Sequence, residues 1–135
     1  MAPKRIIRHI FKFHGLRESF EFAFKGIFYL FLFHRNMRII FMLGVAAFIL
    51  GLYFQLKGIE LVALCITITL VFVAEIFNTA IEMLMDILSV KYHVRIKLVK
   101  DIAAAVVVIA CLNAVAVGFA LFARRIFELV SQNLY

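Results

Sequence analysis

Charge is scarce in this chain, and acidic charge scarcest of all. Only 17% of its 135 residues are charged, with eight Asp and Glu against fifteen Lys and Arg. A soluble globular protein carries about 25% charged residues, and two-thirds of this chain is apolar. A domain of this length has too little interior to hide so many large side chains. The shortage excludes a soluble globular domain and leaves an integral membrane protein. Proline is nearly absent: the only one, Pro3, lies in the basic start of the chain, so none interrupts the apolar segments. The two cysteines, Cys65 and Cys111, sit inside apolar segments without metal-ligand spacing and read as small buried hydrophobes. A Walker-type Gly-Lys-Ser/Thr loop and a kinase-type glycine loop are both missing, so any nucleotide site here is of another kind. No window has the form of a cleavable signal peptide, because a polar segment and not an apolar core follows the basic N-terminus.

What is present is apolar sequence in long stretches. Residues 1–16 form a basic arm of irregular pattern, ending near Gly15. From Arg17 to Phe33 the pattern becomes helical. Arg17, Glu18, Glu21 and Lys25 share one face, with Glu21 and Lys25 at the favourable i,i+4 spacing, and Phe20, Phe24, Ile27, Phe28 and Phe31 cover much of the rest. This spacing predicts an amphipathic helix lying in the membrane interface. The polar run 34–38 follows. Ile39–Leu56 then has no charge and is long enough to span a bilayer. Gln55, Lys57, Gly58 and Glu60 predict a tight polar turn before a second span, Leu61–Leu88. Ser89–Lys100 reads as a basic loop. Ile102–Ala123 is a third uncharged span, rich in alanine, where small residues allow close helix approach in lipid. Arg124 and Arg125 are expected to stop it, leaving 124–135 as a tail. The fold class is therefore all-α and membrane-integral: three transmembrane helices behind an N-terminal surface helix.

A net charge of +7 would suit nucleic acid, but its placement does not. Eight of the fifteen Lys and Arg precede Ile39 and four lie between Lys91 and Lys100, leaving Lys57, Arg124 and Arg125 for the other side. Such collars flank membrane spans and face anionic lipid. The asymmetry puts the N-terminus and the loop after the second span in the cytoplasm.

One stretch stands out within the second span. Glu75, Asn78, Glu82 and Asp86 fall within an arc of roughly 80° at 100° per residue, one polar stripe on a greasy helix. A carboxylate at the centre of a membrane helix costs on the order of 2.5–3.5 kcal/mol, so four polar groups in register need a reason. The stripe can be a polar seam in a helical oligomer, a set of ion-pair partners for loop Lys and Arg, or a cation or proton path. It can also be a reaction site. Glu75 lies deepest in apolar sequence and suits a general base. Glu75 and Glu82 are about 10.5 Å apart along the axis, long for one shared metal, so separate roles fit them better. Lys100 and Asp101 add a cation and an acid at the start of the third span. Lys offsets phosphate charge as a point cation, and phosphoryl transfer depends chiefly on positioning and charge stabilisation.

These residues also carry a resemblance. The run AEIFNTAIEMLMD, then YH, then KDIAAAV resembles the prokaryotic diacylglycerol kinase and undecaprenol kinase family, whose pattern runs E-x-x-N-[ST]-A-I-E-x-x-x-D, then Y-H, then K-D. FAFKGI and RNMRI resemble it upstream, and the likeness covers about residues 17–123. It implies a homotrimer of three-span subunits in the bacterial cytoplasmic membrane, phosphorylating a lipid hydroxyl with Mg-ATP. Carried over position by position, it implies Glu75 as general base with Asn78 in support and Glu82 as a metal ligand. Lys91, Tyr92, His93, Lys100 and Asp101 would border the nucleotide. The departure is His34, which stands where the family has a metal-binding glutamate. Imidazole suits magnesium poorly, which leaves open weakened activity, a preference for manganese or another divalent metal, or a degenerate, non-enzymatic subunit. Diacylglycerol and undecaprenol both present a hydroxyl on a greasy tail. The missing serine in KDIAAAV and the FAFKGI stretch lean slightly to undecaprenol.

Overall fold

The computed structural model describes residues 15–88 and 94–132, all helical apart from short connections. Residues 1–14 of the basic arm 1–16 lie outside the described residues, and its last residue, Leu16, already belongs to a helix. The chain divides into two compact units at residue 34. The first contains helix α1, Leu16–Phe33, none of whose residues is buried. Lys25 donates to Glu21 across one turn at 2.6 Å, and the hydrogen bond and charge of Lys25 hold the Glu21 carboxyl below its ordinary range. His34 ends α1 in extended backbone, its N–H donating to the Leu30 carbonyl at 2.9 Å.

The second unit holds α2 (Arg35–Tyr53), α3 (Ile59–Leu88) and α4 (Val94–Gln132), each long and apolar enough to cross a membrane. The ends differ from the sequence expectation in two informative places. The third span does not stop at Arg124 and Arg125. Arg124 pairs with Glu128 one turn on, at 2.9 Å, and Arg125 caps the Leu121 carbonyl at 2.7 Å, so both support the helix they were expected to end. Nor is 89–100 a loop throughout, because α4 begins at Val94 and carries Arg95, Lys97 and Lys100 on its first turns.

The α2–α3 turn has an identifiable cause. Leu56 N–H reaches the Gly51 carbonyl and Gln55 N–H the Leu52 carbonyl, while Gln55 takes φ +55°. This is the paired bonding of a Schellman cap, with a non-glycine residue in the left-handed position. Gly58, at φ +56°, supplies the second left-handed residue before Glu60 enters the first turn of α3. The turn also brings α2 onto α3. A Cβ on Gly51 would stand 2.6 Å from Leu64 Cδ2 and 3.2 Å from Leu56 Cδ1, so glycine is what permits the contact.

Two apolar clusters join the three spans. Leu56, Leu64 and Phe122 form one near the α2–α3 turn, backed by Phe54, Leu61 and Leu121. Val71, Ala74 and Ala110 form the other, backed by Ile40, Val107 and Ala114. The α3–α4 register is antiparallel and fixed at both ends. Arg125 meets Glu60 at 2.8 Å, and Lys100 meets Asp86. Along α3 these pairs lie about 39 Å apart at 1.5 Å per residue, bracketing a hydrocarbon layer of about 30 Å. Lipid is as apolar as these side chains, so close packing and polar pairs, more than the hydrophobic effect, hold such helices together.

Candidate active site

The buried face of α3 explains where the polar stripe goes. Leu64, Thr67, Val71, Ala74, Glu75, Asn78 and Thr79 are its buried residues. They recur at the three- and four-residue steps of a helix face used for packing. Glu75 and Asn78 thus lie on the packing face. Glu75 is 4% exposed, Asn78 8% and Thr79 2%. Farther along the same face, Glu82 is half-buried and Asp86 is exposed. The stripe runs from an enclosed end at Glu75 to an open end at Asp86.

Hydrogen bonding divides it in the same way. Asn78 Nδ2 donates to Glu82 Oε1 at 3.1 Å, one turn along the helix. Asn78 Oδ1 is buried without a hydrogen-bond partner, and among the described residues Glu75 receives no hydrogen bond or ion pair. Buried polar oxygens are nearly always satisfied in folded proteins. An enclosed amide oxygen and an enclosed carboxylate without donors, beside a carboxylate with one oxygen still free of the amide, form an acceptor-rich site. It wants a hydroxyl proton or a hard cation. At the open end Lys100 answers Asp86, with the lysine 35% and the acid 65% exposed. Asp101 is exposed beside it.

The spacing expectation therefore resolves into two pairings, Asn78 with Glu82 and Lys100 with Asp86, and one unpartnered carboxylate, Glu75. His34 belongs to the first unit, where its ring stands 6.1 Å from that of Tyr29. Lys91, Tyr92 and His93 lie outside the described residues. Among the described residues no three His, Cys, Asp or Glu gather as a ready metal cluster. Sequence reasoning assigned nothing to Thr79, although it sits beside Asn78 and is almost fully buried. Its signal was available in the packing period. Glu60 and Arg125 were read as turn and stop signals, and nothing local in the sequence pairs positions 65 residues apart.

A cavity of about 310 Å³ opens between α2, α3 and α4, lined by Gly44, Ala47, Thr67, Val71, Ala114 and Gly118 among others. Its lone hydroxyl, on Thr67, is spent on the Ala63 carbonyl at 2.8 Å. None of the four stripe residues lines it. The cavity is apolar space one turn from Glu75.

Comparison with known proteins identifies the family. The family described as prokaryotic diacylglycerol kinase matches residues 21–122, a segment that holds every stripe residue, Lys100 and Asp101. A protein from Synechocystis sp. named diacylglycerol kinase is 35% identical over 117 residues, spanning 86% of this chain and 67% of that relative. With three-quarters of the chain matched, this protein belongs to the prokaryotic diacylglycerol kinase family and is, by that membership, a membrane lipid kinase.

Proposed function

We propose that the protein transfers the γ-phosphoryl group of ATP to the hydroxyl of a membrane lipid, undecaprenol or diacylglycerol, at the cytoplasmic interface of the bacterial inner membrane. The observation that carries this reading is the enclosed pair Glu75 and Asn78 on the buried face of α3, with Asn78 Oδ1 buried without a partner and no donor to Glu75 among the described residues. Counting inward from Asp86, Glu82 lies about 6 Å and Glu75 about 16.5 Å along the helix, so a hydroxyl arriving from the bilayer reaches Glu75 before the open end. Glu75 takes the hydroxyl proton as the oxygen attacks the γ-phosphorus, and ADP leaves. Lys100 offsets charge on the nucleotide, with Asp101 and the stretch Lys91, Tyr92 and His93 bordering it. Phosphoryl transfer asks little covalent chemistry of a protein beyond this positioning and charge.

The oxygen-only donor set suits magnesium, a hard cation often held by one or two carboxylates plus substrate phosphates. Glu82 would hold it with the free Asn78 oxygen nearby, and the ion would neutralise charge on the transferring group. The Lys and Arg distribution supports a cytoplasmic N-terminus, and the charged and aromatic faces of α1 support its lying in the interface. The family pattern supports a homotrimer.

A second reading has one observation in its favour: His34 stands where the family has a metal-binding glutamate. On that reading the chain is a degenerate member acting as a non-enzymatic subunit. Labelled phosphate transfer from ATP to each lipid, on purified protein in Mg²⁺ and in Mn²⁺, separates the two. Transfer that Glu75→Gln abolishes supports the kinase. No transfer in either metal, with activity restored by His34→Glu, supports the degenerate member. Normal turnover by Glu75→Gln overturns the assignment of the base.

A further inference from the structure

We infer that Glu60 and Arg125 form a register lock, positioning Lys100 against Asp86 from the opposite end of the α3–α4 hairpin. Arg125 is spread across two helices. One guanidinium nitrogen donates to the Leu121 carbonyl of its own helix at 2.7 Å, the other to Glu60 Oε2 at 2.8 Å. The guanidinium thereby ties the 121–125 turn of α4 to the first turn of α3. The pair is more sheltered than its counterpart, at 29% and 38% side-chain exposure against 35% and 65% for Lys100 and Asp86.

The site end needs such a lock because its own packing is smooth. On α4, Ala103, Ala110 and Ala114 face the seam, with Val107 the larger side chain among them. Small side chains allow close approach but interlock weakly, and lipid supplies no hydrophobic force against sliding. The large interlocking residues Leu56, Leu64 and Phe122 all stand at the Glu60–Arg125 end. An exposed ion pair such as Asp86–Lys100 is worth about 0–1 kcal/mol, too little to hold two long helices in register alone. Slippage of α4 by one turn, about 5.4 Å, would carry Lys100 away from Asp86. Arg125 lies beyond residues 21–122, so the family match covers Glu60 and not its partner in the lock.

The inference rests on the lipid-kinase reading only for its enzymatic arm. Spin labels at the exposed positions Leu84 and Ile102, in a full-length protein with Cys65 and Cys111 replaced by alanine, report the register by dipolar coupling in bilayers. With labelled chains diluted in an excess of unlabelled protein, the native chain gives one narrow distance. Arg125→Ala adds a population displaced by about one helical turn, while Arg125→Lys, and the exchange Glu60→Arg with Arg125→Glu, keep the distance narrow. The KM for ATP rises roughly fivefold in Arg125→Ala, within the range for remote positions, with kcat little changed. A role in stability alone would lower the folded yield without altering the distance or KM of the folded fraction, and that result overturns the lock. Glu60→Gln, which keeps the side-chain shape, makes the same measurement if Arg125→Ala fails to fold. If the native protein transfers no phosphate, the kinase reading fails and the dipolar distances alone decide the lock.

Discussion

At the Glu60–Arg125 end of the hairpin, Leu56, Leu64 and Phe122 interlock beside a sheltered ion pair, and Gly51 lets α2 close against them. At the other end, Ala74 and Ala110 pack with Val71, Asn78 Oδ1 is buried without a partner, and an exposed ion pair closes the seam. The first end spends its residues on packing, while the second leaves polar groups under-satisfied. A membrane enzyme whose substrate arrives from lipid needs both, because the acceptor-rich end cannot supply its own rigidity. Unpaired oxygens at depth are costly, and they persist where the rest of the structure is well determined.

Breaking the polar end should show in chemistry and not in stability. The largest effect falls on Glu75→Gln, which is expected to lower lipid phosphorylation by about 10²–10⁴-fold, with the helical circular dichroism and folded yield unchanged. Breaking the packed end should do the reverse. Leu64→Ala is expected to cost roughly 2–5 kcal/mol, read as a lower unfolding midpoint in detergent. Gly51→Ala forces a Cβ against Leu64 and is expected to cost about 1–3 kcal/mol, less than the cavity variant because a leucine tip can move. Loss of activity in proportion to loss of folded protein would fit both. A fall in kcat per folded molecule would mean that the ends are not separable as described.

Smaller effects sharpen the same contrast. Asp86→Asn should change the unfolding midpoint by no more than about 0.5 kcal/mol, since its pair is largely exposed, yet raise the KM for ATP by freeing Lys100. The smallest effect belongs to α1. The Glu21 carboxyl is lowered by the hydrogen bond and charge of Lys25, so the support it gives α1 is present above its unfolded pKa. That support is lost as pH falls through the lowered folded value. Lys25→Gln is expected to move the Glu21 titration upward in a carboxyl NMR experiment and to leave the thermal midpoint where it was. Both groups are exposed, so a shift in the midpoint would show that α1 is tied into the rest of the protein through this pair.

Periodicity along one helix is a local property, so three long apolar helices and the polar stripe at 75, 78, 82 and 86 on one face were legible in the order of residues. The motif also carried the family, because its residues lie within thirty or so positions of one another. The helix ends were less legible. Arg124 and Arg125 look like stop signals when read singly, but their partners Glu128, Leu121 and Glu60 turn them into supports. That Glu75 and Asn78 fall on the packing face, that Thr79 is buried with them and that Glu60 meets Arg125 emerged from the folded chain. The physical reason is that enclosure and pairing across the seam depend on the register of two antiparallel helices. A shift of one turn leaves every local pattern intact and changes every cross-helix partner.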